Sequence, residues 1–374
     1  MQITKPTMGW DSWNTFGEHP DEKLILEIAD AMVELGYKDV GYEYVNIDDC
    51  WSLRERDENV RLVPDPEKFP HGIKYVADYV HSKGLKLGIY SCAGVRTCAD
   101  YPSSYGYEYI DAKTFAEWEV DHLKYDFCFF PVSGNGKNAY LTMAQALRNC
   151  GRDIVFAACN WGVDDSAMWM RSRGAHTWRS TGDIFDRPQS FLDIFKSQCE
   201  NMENTTAGCY NDMDMMIVGM HGNGHVGLGG CTDEEYATHF AMWSFLGSPL
   251  IIGADIRNID DTSRKILQNK ELIAINQDEE ARPPFRITNR WGGGYAFVRL
   301  LSNGEFAVGM FNTFDNEIKM EISIDDFGIH AGEGRTAVLR DVMSGEEYVG
   351  KEHGFVFNIP ATGFKVMRGK IAKR

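Results

Sequence analysis

The stretch "HLKYDF", residues His122 to Phe127, carries a lysine and an aspartate two positions apart. Side chains on a strand alternate between faces, so Lys124 and Asp126 point one way while Leu123 and Tyr125 point the other. A strand that aims a cation and an anion at one side is equipped for nucleophilic or acid–base work. More polar side chains collect at the ends of other strand-like runs. Trp13 closes the first, and Asp48 and Asp49, then Trp51, close the second. Tyr90 stands at the third, and Cys159, Asn160 and Trp161 at the fifth. Arg179 and Asp183 follow the sixth, and Asp212, Asp214 and Met215 the seventh. Taken alone, each has a plain structural explanation: an Asp after a strand caps a helix, a Trp fills a core, a Lys–Asp pair is an ion pair. Those explanations do not cover the gathering of carboxylates, two cations and aromatics on one rim.

Many carboxylates, few metal-ligating side chains and aromatic platforms fit the cleavage of a glycosidic bond. That reaction needs two carboxyl groups across the scissile bond. One protonates the leaving oxygen, and the other attacks the anomeric carbon or activates water. Asp126 suits the nucleophile, and Lys124 on the same face is expected to hold it ionised by lowering its pKa. Asp183, on a loop beyond the sixth strand, suits the acid/base because it can exchange protons with solvent there. Arg179, Asp48 and Asp49 would bind sugar hydroxyls through charge-assisted hydrogen bonds.

The elements that must hold this rim alternate along the chain. Strand-like runs are "TMGWDSW", "YEYVNIDD", "LKLGIYSC", "HLKYDF", "DIVFAACN", "HTWRSTGD", "CYNDMDMM" and "SPLIIGAD". Between and after them the pattern predicts helices over Asp21–Leu35, Ile73–Lys83, Ala112–Trp118, Ala139–Asn149, Ser166–Arg171, Pro188–Asn201, Asp233–Leu246 and Ser263–Asn269. Strand–helix units of similar length, repeated about eight times, favour closure into a (β/α)8 TIM barrel over a doubly wound sheet. In such barrels the active site lies where the strands end. After "IAINQDEEARPPFRI" the pattern changes to alternating runs such as "GYAFVRLL", "EFAVGMFN" and "IKMEISI" with Gly, Asn and Asp turns. These predict a C-terminal antiparallel β-sandwich. The expected division is a catalytic barrel over 1–280 and a sandwich over 281–374. The sandwich is expected to cover one side of the barrel and to supply no catalytic residue, and a homo-oligomer built through it is allowed.

Bulk properties narrow the partners. The chain has 374 residues, 43% hydrophobic and 25% charged, with a formal net charge of -17. So acidic a surface argues against nucleic acid or an anionic membrane as partner. No window is long and apolar enough to span a bilayer. The opening "MQITKPTMGW" has no signal-peptide core, which points to the cytoplasm. The cysteines are scattered with no CxxC pair, so neither a zinc site nor another cofactor is expected. "GNGHVG", Gly222 to Gly227, matches the dinucleotide fingerprint, but "LGGC" follows it where a helix should open. It reads as a glycine-rich loop after the seventh strand, with His221 and His225 as exposed loop residues.

The segments "MGWDSWN", "YVNIDDCW", "KFPHGIKYVADYVHSKGLKLGIYSCAG", "TCADYPSSYGYE", "LKYDFC", "CNWGVDD", "WRSTGDI" and "IAINQD" occur in order from Met8 to Asp278. Together they resemble the melibiase-type α-galactosidases, glycoside hydrolase family twenty-seven. The resemblance implies a retaining mechanism through a covalent galactosyl-enzyme, with Asp126 as nucleophile and Asp183 as acid/base. It implies a galactose pocket of Trp13, Asp48, Asp49, Tyr90, Lys124, Cys159, Trp161, Arg179 and Met215. The Asp48–Asp49 pair is implied to clasp the 4- and 6-hydroxyls, which selects an axial O4. Cys98 and Cys128 match a family disulfide beside the nucleophile. Secreted relatives pair the Cys of "DDCW" with one shortly after the first motif; here "WNTFGEHP" offers none, so Cys50 lacks that partner. Asn160 stands where animal relatives carry Glu or Ser. The alternatives are α-N-acetylgalactosaminidase, β-L-arabinopyranosidase, a galactose-binding protein without catalysis, and a metal-dependent barrel hydrolase.

Overall fold

The computed structural model describes residues 3–199, 201–287, 294–327, 334–350 and 354–373. The short apolar runs form eight parallel strands: β1 (Met8–Asp11), β2 (Tyr44–Asn46), β3 (Lys86–Cys92), β4 (His122–Asp126), β5 (Val155–Cys159), β6 (Thr177–Arg179), β7 (Tyr210–Asp212) and β8 (Leu250–Ile252). They pair in the order β7-β6-β5-β4-β3-β2-β1-β8. Most of their residues are buried, as expected of parallel strands covered on both faces. The two ends of the sheet meet just beyond β7, where Met216 bridges in parallel to Ile252. Met216 N donates to Ile251 O at 2.7 Å and Gly253 N donates to Met216 O at 2.9 Å. The sheet is therefore a closed barrel, as the strand–helix rhythm predicted.

The helices are α1 (Trp13–Phe16), α2 (Glu22–Glu34), α3 (Gly72–Ser82), α4 (Glu108–Glu117), α5 (Gly136–Arg148), α6 (Pro188–Gln198), α7 (Asp233–Leu246), α8 (Asp261–Leu267) and α9 (Lys270–Asn276). Local chemistry sets their ends. Asp21 caps α2 by accepting from Leu24 N, and the helix buries Leu24, Ile25, Ile28, Ala29 and Met32 at helical spacing. A capping box of Thr232 and Glu235 opens α7, and left-handed Gly247 closes it. Its residues from Thr238 to Leu246 are all buried, because it lies between the barrel and the second sheet.

Three segments differ from the sequence expectation. Trp13 does not end β1 but begins α1, because the Asp11 carboxylate accepts from Trp13 N at 3.0 Å and turns the chain. The helix expected over Ser166–Arg171 is two 3-10 turns, Ser166–Met168 and Arg171–Arg173. Asp164 and Asp165 precede them in left-handed conformation, which breaks helical propagation. The helix α9 was not expected; Asn269 caps it through Glu271 N and Leu272 N, and it buries Leu272, Ile273 and Ile275.

Beyond the barrel lie β9 (Phe285–Arg286), β10 (Tyr295–Leu300), β11 (Phe306–Phe311), β12 (Ile318–Ile322), β13 (Arg335–Asp341), β14 (Glu347–Val349), β15 (Phe355–Ile359) and β16 (Phe364–Lys373). One antiparallel sheet runs β14-β13-β16-β11-β10-β9, and β12 pairs with β15. Val298, Val308, Met320, Phe327, Leu339 and Phe357 fill the core between them. The other face of the large sheet presents Phe297, Phe311 and Val366 to the barrel's own core. There Phe311 meets Phe195 of α6 and Phe245 of α7, with ring centroids 5.2 and 5.8 Å apart.

Candidate active site

Strand register brings the polar side chains level. Tyr90 pairs with Lys124 and Cys92 with Asp126 across β3 and β4. Cys159 pairs with Arg179, and Arg179 with Asp212, across β5, β6 and β7. Asp48 lies two residues past Asn46, which pairs with Gly88, so it reaches the level of Tyr90 and Lys124. The strand ends thus surround a cleft of about 390 Å³. Trp13, Asp48, Asp49, Tyr90 and Lys124 line it together with the nucleophile candidate, Asp126. Arg179, Asp183 and Met215 line it as well.

Asp126 is buried, and both its oxygens accept hydrogen bonds. Tyr90 donates its hydroxyl to Oδ2 at 3.0 Å, and Phe127 N donates to Oδ1 at 2.8 Å. Burial pushes this carboxyl above the usual range, and Lys124 and the Phe127 N–H offset that only in part. Lys124 thus acts in the expected downward direction, but burial outweighs it and the net shift is upward. The Lys124 ammonium sits 2.6 Å from Asp48 Oδ2. Two residues along a strand are about 6.6 Å apart at the backbone, whereas Asp48 stands level with Lys124 across Tyr90. Lys124 therefore neutralises Asp48 and passes over the Tyr90 ring, 5.5 Å from its centroid.

The neighbouring acids are held by backbone donors. Asp48 Oδ1 accepts from Asp49 N at 2.8 Å. Asp49 accepts from Cys50 N at 2.7 Å and from Ala99 N at 3.0 Å, with Cys50 in left-handed conformation (φ 69). Burial pushes Asp49 up to about 6 against these donors.

Asp183 stands in the opposite environment. Its side chain is 61% exposed and 2.8 Å from Arg179. What burial it has raises its pKa, but Arg179 and then Lys124 more than offset this, and the carboxyl lies below the usual range. The same Arg179 nitrogen is 2.7 Å from Asp214 Oδ2, which also accepts from Ile184 N at 2.8 Å. Asp214 was visible in the sequence as a rim residue but not as a binding candidate. It is buried, left-handed (φ 80) and pushed up to about 6, chiefly by burial. It ties the guanidinium to the backbone immediately after Asp183. Asn14 was not foreseen at all. It lines the cleft, buried, and its Nδ2 finds no partner among the described protein atoms. The one available signal was its place next to Trp13.

Two predicted residues lie outside the cleft lining. Cys159 lies 3.8 Å from Arg179 Nη1 and lines an adjoining cavity with Asp11, Asn46, His122 and Asp212. Trp161 sits on the loop after β5 in left-handed conformation (φ 59), edge-on to Phe127 at 6.3 Å. Cys98 and Cys128 are joined in a disulfide with Cα atoms 5.1 Å apart, and Cys98 Sγ lies 3.4 Å from the Tyr90 hydroxyl. Cys50 is a buried thiol. No helix opens at Gly222–Gly227, and His221 pairs with Asp260 at 2.9 Å. The cleft thus combines a buried carboxylate with both oxygens engaged, a second carboxylate open to solvent, and charged acceptors and donors between them.

Comparison with known proteins agrees along the chain. Residues 5–278 match the family described as alpha galactosidase A, within the melibiases. Residues 293–368 match the alpha galactosidase C-terminal beta sandwich domain. Alpha-galactosidase A of Cellvibrio japonicus is 42% identical over 389 residues, covering 98% of this chain and 92% of that protein. Alpha-galactosidase I of Mortierella vinacea superposes with a TM-score of 0.90 at 36% identity, covering 98% of this chain and 97% of that one. The Saccharomyces cerevisiae enzyme solved with raffinose superposes with a TM-score of 0.87 at 29% identity, covering 99% and 98%.

Proposed function

The chain belongs to the melibiase family of glycoside hydrolases and is an α-galactosidase, and we propose that it works by double displacement with Asp126 as nucleophile and Asp183 as acid/base. The observation that carries this reading is the contrast between the two carboxyl groups of one cleft. Asp126 is buried at the base with donors on both oxygens, and Asp183 is open to solvent beside a guanidinium. A nucleophile gains from a fixed, dry position, and an acid/base that must be reloaded gains from access to water.

In the first step an Asp126 oxygen attacks the anomeric carbon while Asp183 gives its proton to the glycosidic oxygen. The bond to the aglycone breaks, and a galactosyl ester of Asp126 forms. In the second step Asp183 takes a proton from water, the water oxygen attacks the same carbon, and Asp126 departs. The Tyr90 hydroxyl and the Phe127 N–H stabilise the departing carboxylate. Arg179 holds Asp183 ionised in the free enzyme, so substrate must loosen that pair before Asp183 can donate. A sugar hydroxyl that accepts from Arg179 would do so. Lys124 neutralises Asp48, and Asp48 with Asp49 forms the acceptor pair for the 4- and 6-hydroxyls of galactose. That intact pair favours a hexose carrying O6 over an arabinopyranoside. Nitrophenyl α-galactoside, α-N-acetylgalactosaminide and β-L-arabinopyranoside compared side by side test this preference.

Terminal α-galactosyl groups of oligosaccharides and glycoconjugates are the proposed substrates. Among the described residues, no helix is long and apolar enough to cross a membrane. The compartment belongs to the proposal too: the Cys50 and Cys92 thiols suit the cytoplasm, and the Cys98–Cys128 bridge stands against it. Fractionation of the source cells separates the two. The mechanism is tested by proton NMR of the first-formed sugar: α-galactose is expected, and β-galactose would mean inversion.

A further inference from the structure

The glycine-rich segment Gly222–Gly227 braces two loops of the cleft against each other. On one side His225 N donates to Thr15 O at 3.1 Å and Val226 N to Asn14 O at 3.0 Å. On the other, Asp186 N donates to Val226 O at 3.0 Å and Gly230 N to Asp186 O at 2.9 Å. The buried Asp186 carboxylate also accepts from Gly222 N at 2.6 Å and from the Tyr236 hydroxyl at 2.8 Å. Asp186 follows Asp183 by three residues, so the segment joins the Trp13 loop to the Asp183 loop through backbone contacts.

His225 is exposed at this junction. Its ring meets Trp13 edge-on, with centroids 5.0 Å apart at 71°. Gly17 (φ 52) leaves the ring its room, since a Cβ there would stand 2.8 Å from His225 Nδ1 and 2.9 Å from Cγ. The imidazole is also near enough to act electrostatically on Asp183. The galactosyl ring belongs in the buried part of the cleft, against Asp126, Asp48 and Asp49. The glycosidic oxygen must face Asp183, and whatever it carries extends past the exposed side of Asp183. His225, exposed and beside both Asp183 and the cleft-lining Trp13, stands where that group leaves the cleft.

We propose that His225 forms part of the subsite for the leaving group and hydrogen-bonds hydroxyls of a sugar aglycone, with Trp13 as the apolar wall of that subsite. An imidazole both donates and accepts, which suits vicinal hydroxyls. An aryl leaving group without hydroxyls gains nothing from it. The inference rests on Asp183 being the acid/base.

The test compares wild-type enzyme with His225→Ala on raffinose and on p-nitrophenyl α-galactoside, with inhibition by free galactose as a check on the inner pocket. His225→Asn serves as a second variant should alanine disturb the loop. The expected result is a fall of about tenfold in kcat/KM for raffinose, mostly through KM. For the aryl galactoside the change stays within about twofold, and galactose inhibition is unchanged. Equal losses on both substrates, or no loss on either, would overturn the role of His225 while leaving Asp126 and Asp183 standing. Failure of the Asp183 assignment would appear separately, as an Asp183→Ala enzyme that slows good and poor leaving groups alike.

Discussion

Around the cleft, Asp49, Asp126 and Asp214 are carboxyl groups taken out of water, and burial pushes all three up. In the sandwich, Asp341 is also drawn in from water, and burial alone would raise it. There Lys365 at 2.5 Å and the Met343 N–H win, and its carboxyl falls below the usual range. The sign of the linkage differs accordingly. Asp49 and Asp214, both at about 6, favour the folded state when protonated, and that contribution fades as pH rises through that value. Asp341 contributes above its ordinary titration range, and its contribution fades as pH falls. The backbone shows the same division. Cys50, Phe129, Trp161 and Asp214 all adopt left-handed conformations just past barrel strands, whereas past residue 281 Thr362 alone does so among the described non-glycine residues. The cleft thus gathers several buried carboxyl groups and left-handed residues at the strand ends, whereas the sandwich buries its one desolvated arginine, Arg299, against Phe245 O of the barrel, among the described residues.

That comparison can be broken in three places. The largest effect is expected for Asp126→Asn, which should lower kcat about ten-thousandfold while leaving thermal stability unchanged or higher, since it removes a buried charge. A parallel loss of stability would mean that Asp126 is structural. Next, Phe327→Ala empties a site packed by Phe306 and Phe355, with centroids at 5.2 and 6.3 Å. It should cost about 3–5 kcal/mol of unfolding free energy in a denaturant titration, with kcat at room temperature unchanged. A fall in kcat in the folded variant would give the sandwich a part in catalysis. The smallest of the three is Asp214→Asn, expected to reduce kcat on the order of a hundredfold by misplacing Arg179 and the Asp183 loop. It carries a pH signature that a merely structural role would not. Asp214 takes up its proton at about 6, so its negative charge on the shared Arg179 is present only above that pH. The wild-type kcat/KM is expected to carry an inflection near pH 6 that Asp214→Asn removes. An inflection that survives the substitution would contradict the shared-guanidinium account.

The period-2 alternation of "HLKYDF" already told that Lys124 and Asp126 share a face, and the strand–helix rhythm told that this face belongs to a closed barrel. What the chain order could not tell is who pairs with whom across strands. Lys124 meets Asp48, 76 residues away, because of the register between β2, β3 and β4. No local pattern encodes that register. Asp214 hid behind Asp212 in "NDMD", since a rim carboxylate bound to an arginine reads like one bound to water. Asn14 is an ordinary polar residue until the barrel closes over it. The helix lost at Ser166–Arg171 and the helix found at Lys270–Asn276 have a common cause: helical spacing there was weaker evidence than the residues at the ends. Asp164 and Asp165 disrupt the first, and Asn269 caps the second.

The direct test of the account is to inactivate the enzyme with a 2-deoxy-2-fluoro- or 5-fluoro-galactosyl fluoride, digest it and map the labelled peptide by mass. The account predicts one galactosyl ester, on Asp126, formed at a rate that depends on inactivator concentration. A label on any other residue, or complete hydrolysis of substrate with no covalent adduct under any trapping condition, would contradict it.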